Sequence, residues 1–325
     1  MERISSSGRV EARREPVRHV RIGADQAGRR IDNYLTAALD IPRSRVYQML
    51  RKGEVRVDGR RVRQGHRLEE GEQVRIPPVS RGVSGDPAPP REYLLQLVRD
   101  SVIYEDAEIL AINKPAGLVV HGGSGRTWGV IELLRRIHGD DGGGLQLVHR
   151  LDRETSGVLL IARHHQALAR LQAGFRDRRV GKTYLALLKG RLDRDSFEVD
   201  KPLDRNLLRS GERLSGVSDA GKSALTRFKR RRIVKDATLA EVEISTGRTH
   251  QIRVHAAAIG HPVAGDDKYG DRAFNRKIGK AGLKHLFLHA AVLRIPAWQD
   301  NKPLVIEAPL PEELADFLRR YEGSA

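Results

Sequence analysis

Apolar residues recur at helical spacing in "RRIDNYLTAAL", where Ile31, Leu35 and Leu39 share one face. The next segment, "PRSRVYQMLRKG", repeats the pattern: Val46, Met49 and Leu50 form the apolar stripe, Ser44 is the expected N-cap and Gly53 the stop. The period then shortens. "EVRVDGRRV" predicts a strand, an Asp-Gly turn and a second strand, and "LEEGEQVRI" predicts one more. Together these elements predict a small α/β unit over residues 19–76. "PPVSRGVSGDPAPP", residues 77–90, holds five prolines and two glycines in fourteen positions. Little in it can pack, so residues 77–97 read as a linker.

From residue 98 to 325 the pattern is mixed. "EILAIN", "LVVH", "TYLALLKG" and "TLAEVEIS" predict strands, while "HQALARLQAGFRD" and the terminal "PEELADFLRRYE" predict helices. The two kinds do not alternate regularly, which predicts an α+β domain rather than a doubly wound sheet. No internal repeat is visible. Within this domain the apolar runs LQLV and VLLIA flank the polar segment HRLDRETSG and place Asp152 in a turn between two buried strands.

Charge changes the picture next. Fifty-nine Lys and Arg oppose 42 acids, a net charge of +17, so the expected partner is a polyanion, most simply nucleic acid, bound in a salt-dependent way. The chain has no cysteine. Disulfides, thiolate metal sites and cysteine nucleophiles are excluded, and the cytoplasm is the natural compartment. Residues 1–18 are polar and Arg-rich, a basic disordered tail with no apolar segment of a secretory signal. No run approaches the ~18 apolar residues of a membrane span.

Between Arg29 and Ile76 twelve Arg and Lys oppose seven acids. Arg43, Arg45, Arg51 and Lys52 lie on the second predicted helix, and Arg60 and Arg61 follow at the hairpin turn. They make a candidate face for a phosphate backbone, against the plainer reading of a solvated basic surface. The stretch from Arg29 to Val62 resembles the S4-type RNA-binding domain, which implies RNA as the partner.

Two motif matches carry no chemistry. "GVSDAGKS", Gly216 to Ser223, satisfies the P-loop pattern, but a P-loop needs a buried strand before it and a helix after it, and here both flanks are wrong. The Gly-rich "HGGSGRTWG", residues 121–129, suits only a tight loop near a ligand. Histidines offer no metal site: His250 and His255 are five apart and His164 and His165 adjacent, neither at helical zinc spacing.

An aspartate in a turn is most often a cap or an ion-pair partner. Two other segments change the weighing for Asp152. "GRTHQIRVH" brings Arg248 and Arg253, and "KTYLALLKG" brings Tyr184. A carboxylate, an arginine and a tyrosine are what a base-handling site uses. An arginine within ~4–6 Å favours an ionised carboxylate, and a tyrosine offers a flat face with one polar group. Spacing alone does not show that they converge.

"HRLDRETSGVLLIAR", with "EDAEILAINKPAGLVVHGGSG" before it and "GRTHQIRVH" after it, resembles the RluA-type family of pseudouridine synthases. "LLRSGERLSGVSDAGKSALTRFK" and "HPVAGDDKYGDRAFNRK" resemble the members that act on large-subunit ribosomal RNA. The resemblance implies a mixed, mainly antiparallel central sheet flanked by helices, uridine isomerisation without cofactor or metal, and a monomer. It implies Asp152 as catalytic carboxylate, Tyr184 as the active-site tyrosine and Arg253 as the ion-pair partner of Asp152, with Arg248 the second choice. Arg150 would fill the space of a flipped base and Ile252 would pack on the uracil. His149, His250 and Gln251, within the same motifs, are carried over as substrate-binding. The rival reading is a non-catalytic RNA-binding assembly factor in which Asp152 and Arg253 brace the fold. A nucleotide-dependent enzyme, resting on the P-loop match, comes third.

Overall fold

The structure, a computed structural model, describes residues 17–39, 41, 43–78, 89–122, 128–209 and 212–323. It divides between Pro89 and Pro90 into two units, each with its own core. Most of the expected basic tail, residues 79–88 of the expected linker and residues 123–127 of the Gly-rich loop lie outside the described residues. Among the described residues no helix is long and apolar enough to cross a membrane.

The first unit runs β1 (Arg18–Arg21), α1 (Ile31–Leu39), α2 (Arg43–Lys52), β2 (Arg56–Val57) and β3 (Gln73–Ile76), with an antiparallel sheet in the order β1-β3-β2. The predicted apolar stripes form its core: Ile31, Leu35 and Leu39 from α1 meet Val46, Met49 and Leu50 from α2, over Val57, Val74 and Ile76. Asp32 is buried between the helices, taking Arg30 at 3.1 and 2.9 Å and the Tyr47 hydroxyl at 3.2 Å. Two expectations are corrected. Arg43 is already helical, so Ser44 is not the N-cap of α2. The Asp-Gly turn forms, with Asp58 and Gly59 at φ 45° and 75°, and Val57 and Arg60 exchange backbone hydrogen bonds across it. No second strand follows, and β2 pairs with β3 instead. Arg61 and Arg63 are exposed and offer the sheet nothing to bury.

The second unit opens with α3 (Glu92–Arg99), whose buried Leu95 and Val98 start the packed structure before the expected boundary at residue 98. There follow β4 (Val102–Glu105), β5 (Ile109–Lys114), α4 (Val130–His138), β6 (Gln146–Leu147), β7 (Ser156–Ala162), α5 (His165–Arg176), β8 (Gly181–Lys189) and β9 (Ser196–Asp200). Then come β10 (Leu203–Arg209), β11 (Glu212–Val217), β12 (Leu225–Val234), β13 (Ala237–Ile244), α6 (Gln251–Ala258), α7 (Arg272–Lys280), β14 (Leu288–Ile295), β15 (Leu304–Glu307) and α8 (Glu312–Gly323). β10 and β11 form a separate hairpin. The other strands form one sheet in the order β4-β5-β7-β14-β8-β13-β12-β9, with β6 on β7 and β15 on β14. Only β7 and β14 are parallel among these pairs.

Period-two alternation lets one strand serve two cores. Ile109, Ala111, Val158 and Leu160 face α5, while Leu110, Ile112, Leu159 and Ile161 face α3 and α4. Farther along the sheet, Ala186, Leu188 and Val242 meet α6, and Leu187 and Leu239 meet α7 and α8 on the opposite face. The predicted strand "LVVH" is a loop. The Val119 and Val120 carbonyls turn to accept the first amides of α4, at 2.9 and 3.1 Å, which a helix start otherwise leaves unpaired. "GVSDAGKS" joins β11 to β12. Lys222 pairs its backbone with Leu203 and no helix opens at Ser223, so the phosphate cradle is missing.

Candidate active site

Asp152 sits in the turn from β6 to β7, and the turn is tied down on three sides. Leu151 is buried among α4 and β7 residues, the Thr155 amide donates to the Asp152 carbonyl at 3.2 Å, and the Gly117 amide donates to the Arg153 carbonyl at 2.9 Å. Below it Lys114 is fully buried, donating its ammonium to the carbonyls of Pro115, Leu118 and Arg153 at 2.8, 2.9 and 3.0 Å. Burial pulls this ammonium down to about 7, against the opposing pull of Glu154 and Asp152. The turn leads straight into the parallel seam of the sheet, where Ser156 and Gly157 lie beside His289 and Ala290. Gly157 has φ +110°, and a Cβ there would stand 2.2 Å from the Ala290 carbonyl oxygen. Only glycine lets the two strands approach this closely.

Arg253 comes from α6, a short helix anchored from within. The Gln251 amide donates to the Leu225 carbonyl and Thr226 hydroxyl at 2.9 and 3.0 Å, and its oxygen accepts from Thr246 at 2.7 Å and the Arg248 amide at 3.1 Å. His255 bonds Thr226 and the Lys201 carbonyl, both at 2.9 Å. Held so, Arg253 makes a two-pronged pair with the buried Asp266, at 2.7 and 2.8 Å, and reaches Asp152 Oδ2 through Nη1 at 3.4 Å. Its guanidinium also lies 5.2 Å from the Tyr269 ring centroid. Asp266 thus takes the strong bidentate geometry. Asp152 receives a longer contact that orients it without sealing both of its oxygens.

Tyr184 stands on β8 opposite Ala290 and packs against the core clusters on either side of it. Desolvation, and then the charge of Asp152, hold its phenol well above the ordinary tyrosine range. Asp152, Tyr184, Arg253 and Ile252 line one open cleft. Arg150 and Arg248 are exposed where they line it, and Thr155 and His250 complete the wall.

The residues named from sequence therefore divide. Asp152, Tyr184, Arg253, Arg150, Arg248, Ile252, His250 and Gln251 meet at the cleft. Arg253, not Arg248, contacts Asp152, because the Arg248 guanidinium donates to the Ser223 carbonyl at 3.2 Å. Gln251 spends its amide on internal hydrogen bonds, which makes it a brace for α6 rather than a free substrate contact. His149 turns away from the cleft. Its ring stacks on Phe175 at 4.9 Å and accepts the Leu160 amide at 3.0 Å, and burial with the nearby Lys182 holds it down to about 4. Asp266, Tyr269 and Lys114 were missed by sequence reasoning. Asp266 and Tyr269 lie in "GDDKYG", which reads as a turn, and Lys114 follows an apolar strand as an ordinary surface lysine would. In the first unit, Arg45, Arg51, Lys52, Arg60 and Arg61 are exposed, and the Arg43 side chain lies outside the described residues. Arg61 lies against Gly53 at the end of α2, beside Arg51 and Lys52, where a helix C-terminus itself favours cations.

Comparison with known proteins matches the RNA pseudouridylate synthase family model to residues 108–258 and the S4 domain to residues 29–74. The chain is 46% identical over 312 residues to ribosomal large subunit pseudouridine synthase C of Escherichia coli (strain K12), covering 95% of this chain and 98% of the other. It is 44% identical over 311 residues to the protein of that name from Vibrio cholerae, covering 94% and 98%. Among solved structures, human RNA pseudouridylate synthase domain containing 4 superposes with a TM-score of 0.59 at 27% identity, over 70% of this chain and 95% of that one.

Proposed function

The chain belongs to the RNA pseudouridylate synthase family, and from that premise we propose that it isomerises uridines of large-subunit ribosomal RNA to pseudouridine with Asp152 as the catalytic carboxylate. One observation carries the assignment of the site. Asp152, Tyr184 and Arg253, from segments far apart in the chain, line a single cleft.

The reaction breaks the bond from uracil N1 to ribose C1′, turns the base and joins C5 to C1′. The C5 proton leaves and N1 gains one, so no atom is lost and no redox partner or nucleotide is consumed. Hydrolysis of a sugar ether normally takes two carboxylates, because an alkoxide leaves poorly. Uracil leaves more readily, and one carboxylate suffices. Asp152 acts by attack at C1′ or by removing the C2′ proton to give a glycal. A primary isotope effect with 2′-deuterated uridine selects the second route, and its absence the first.

Arg253 orients the carboxylate, while Asp266 absorbs most of its charge and leaves Asp152 reactive. Tyr184, its phenol kept protonated, supports the base with its ring rather than removing the C5 proton. Arg150 stands at the mouth to fill the stack that the flipped uridine vacates, and Ile252 packs on the uracil. Extruding a stacked base costs a few kcal/mol, which phosphate contacts from the first unit and the cleft rim offset. The protein works in the cytoplasm as a monomer.

The test is tritium release from [5-³H]uridine-labelled, unmodified large-subunit RNA, without ATP or added metal. Wild type should release tritium, and Asp152→Ala and Asp152→Asn should not, while binding RNA about as tightly. Full release by Asp152→Ala would sink the assignment of the carboxylate. Binding without release by wild type, on precursor particles as well, would favour an assembly factor.

A further inference from the structure

His250 holds a backbone conformation that histidine rarely adopts. It precedes α6 at φ 57° and ψ 22°, and its side chain caps none of that helix's amides. A left-handed non-glycine residue of this kind is strained and persists where its surroundings enforce it. The imidazole hydrogen-bonds through one nitrogen and faces Asp152 with the other. Nδ1 lies 2.8 Å from the Tyr269 hydroxyl, and Nε2 lies 3.8 Å from Asp152 Oδ2. Tyr269 in turn accepts the backbone amide of Ser215, on β11, at 3.1 Å.

The Tyr269 oxygen has the Ser215 amide, the Ser215 hydroxyl and His250 Nδ1 around it. The Ser215 amide can only donate, so it donates to the Tyr269 oxygen. A Tyr269 hydroxyl proton turned to His250 Nδ1 makes that nitrogen the acceptor. Burial, with Arg253 and Lys268 adding to it against the pull of Asp152 and Asp266, favours the neutral imidazole. In that arrangement the ring proton sits on Nε2 and faces the carboxylate. Arg253 Nη1 approaches that same Oδ2 at 3.4 Å. Arg253 Nη1 and the His250 ring thus approach one oxygen of Asp152, and among the described residues Oδ1 accepts no hydrogen bond.

We propose that His250 is a positioning residue: with Arg253 it fixes Oδ2 of Asp152, leaves Oδ1 as the oxygen that meets the ribose, and links the aspartate through Tyr269 to the β10–β11 hairpin. This rests on Asp152 being the reacting carboxylate. The 3.8 Å gap lets the Nε2 proton close on Oδ2 as charge rearranges on the carboxylate, without holding it so tightly at rest that it stops reacting.

The experiment measures kcat and KM for tritium release with wild type, His250→Ala, His250→Gln, Tyr269→Phe and the double variant His250→Ala/Tyr269→Phe. The expected result is a kcat loss of about 10- to 100-fold for His250→Ala, the worth of a hydrogen bond to a charged group, with KM for RNA unchanged. His250→Gln, which returns an N–H at the same reach, should recover part of it. Tyr269→Phe should lose less, and the double variant no more than His250→Ala alone, since Tyr269 acts through the imidazole. On the wild-type protein, ¹⁵N spectra should show the neutral His250 ring protonated at Nε2, a readout that survives if His250→Ala fails to fold. Protonation at Nδ1, an unchanged kcat, a change confined to KM, or additive losses in the double variant would each overturn the proposal. The parallel Asp152→Ala assay separates the two claims: if that variant is inactive while the His250 results fail, only the positioning role falls.

Discussion

At the residue scale the site depends on which side chains share one charge. Arg253 is split between a tight pair to the buried Asp266 and a longer contact to Asp152. Arg253→Ala should therefore cost stability as well as turnover, by about 3–5 kcal/mol, because it leaves Asp266 buried and unpaired; urea unfolding measures the first and tritium release the second. Asp152, Tyr184 and Arg253 could be named from sequence because their motifs are distinctive. Asp266 could not, since an aspartate in a Gly-Asp-Asp turn looks like any turn residue until the fold seats it under an arginine. His149 shows the reverse error. It is three residues from Asp152, but it lies at the bend after β6 and faces Phe175. Its burial has a pH consequence. The folded-state value lies at about 4, below the ordinary 6.5, so the unfolded chain binds the extra proton between those values. The contribution is complete above 6.5 and is lost as pH falls towards 4, by up to about 3 kcal/mol. Wild type should lose that much more stability between pH 7 and 4 than His149→Gln does, read from urea midpoints at each pH.

At the element scale, single helices and strands were legible and their pairing was not. α1, α2, α5, α8, β5, β8 and β13 follow from the apolar period of their own segments. Nothing local in "TSGVLLIA" says that β7 lies parallel to β14, some 130 residues later. The Asp-Gly turn at residues 58–59 misled for a related reason: turn chemistry is local, but the partner of β2 is chosen by what gets buried, and Val74 on β3 offers more than Val62. The parallel seam matters most, because it sets Asp152, at the head of β7, beside the strand that faces Tyr184. Gly157→Ala tests it. The added Cβ would stand 2.2 Å from the Ala290 carbonyl oxygen at a backbone angle of +110°, combining overpacking with strain at about 1–3 kcal/mol each. The variant should be less stable by at least that much in urea and should lose turnover out of proportion to RNA binding. An unchanged urea midpoint would show that the seam opens freely and does not position the site.

At the scale of the whole molecule, the residues proposed for chemistry and those proposed for RNA capture lie in two units, each with its own core. The S4-like unit closes its own core around Ile31, Leu35, Met49 and Val74, and every residue of the proposed reaction lies beyond Pro90. The charge was legible in composition as a polyanion partner, but composition does not say which arginines face it. Exposure places Arg45, Arg51, Lys52, Arg60 and Arg61 at the surface, and Arg61 beside the end of α2. If these side chains hold phosphates, removing residues 1–89 should raise KM for large-subunit RNA at least about ten-fold and leave kcat on saturating RNA within a few-fold. It should also flatten the dependence of log affinity on log salt, because each phosphate contact contributes a slope of roughly 0.7 to 0.9. Loss of five such contacts reduces the slope by about 4. The fivefold variant in which Arg45, Arg51, Lys52, Arg60 and Arg61 become Ala should reproduce the slope change in the full chain. If it leaves the slope untouched while the truncation lowers it, the phosphates are held elsewhere in residues 1–89 and this basic face is a solvated surface.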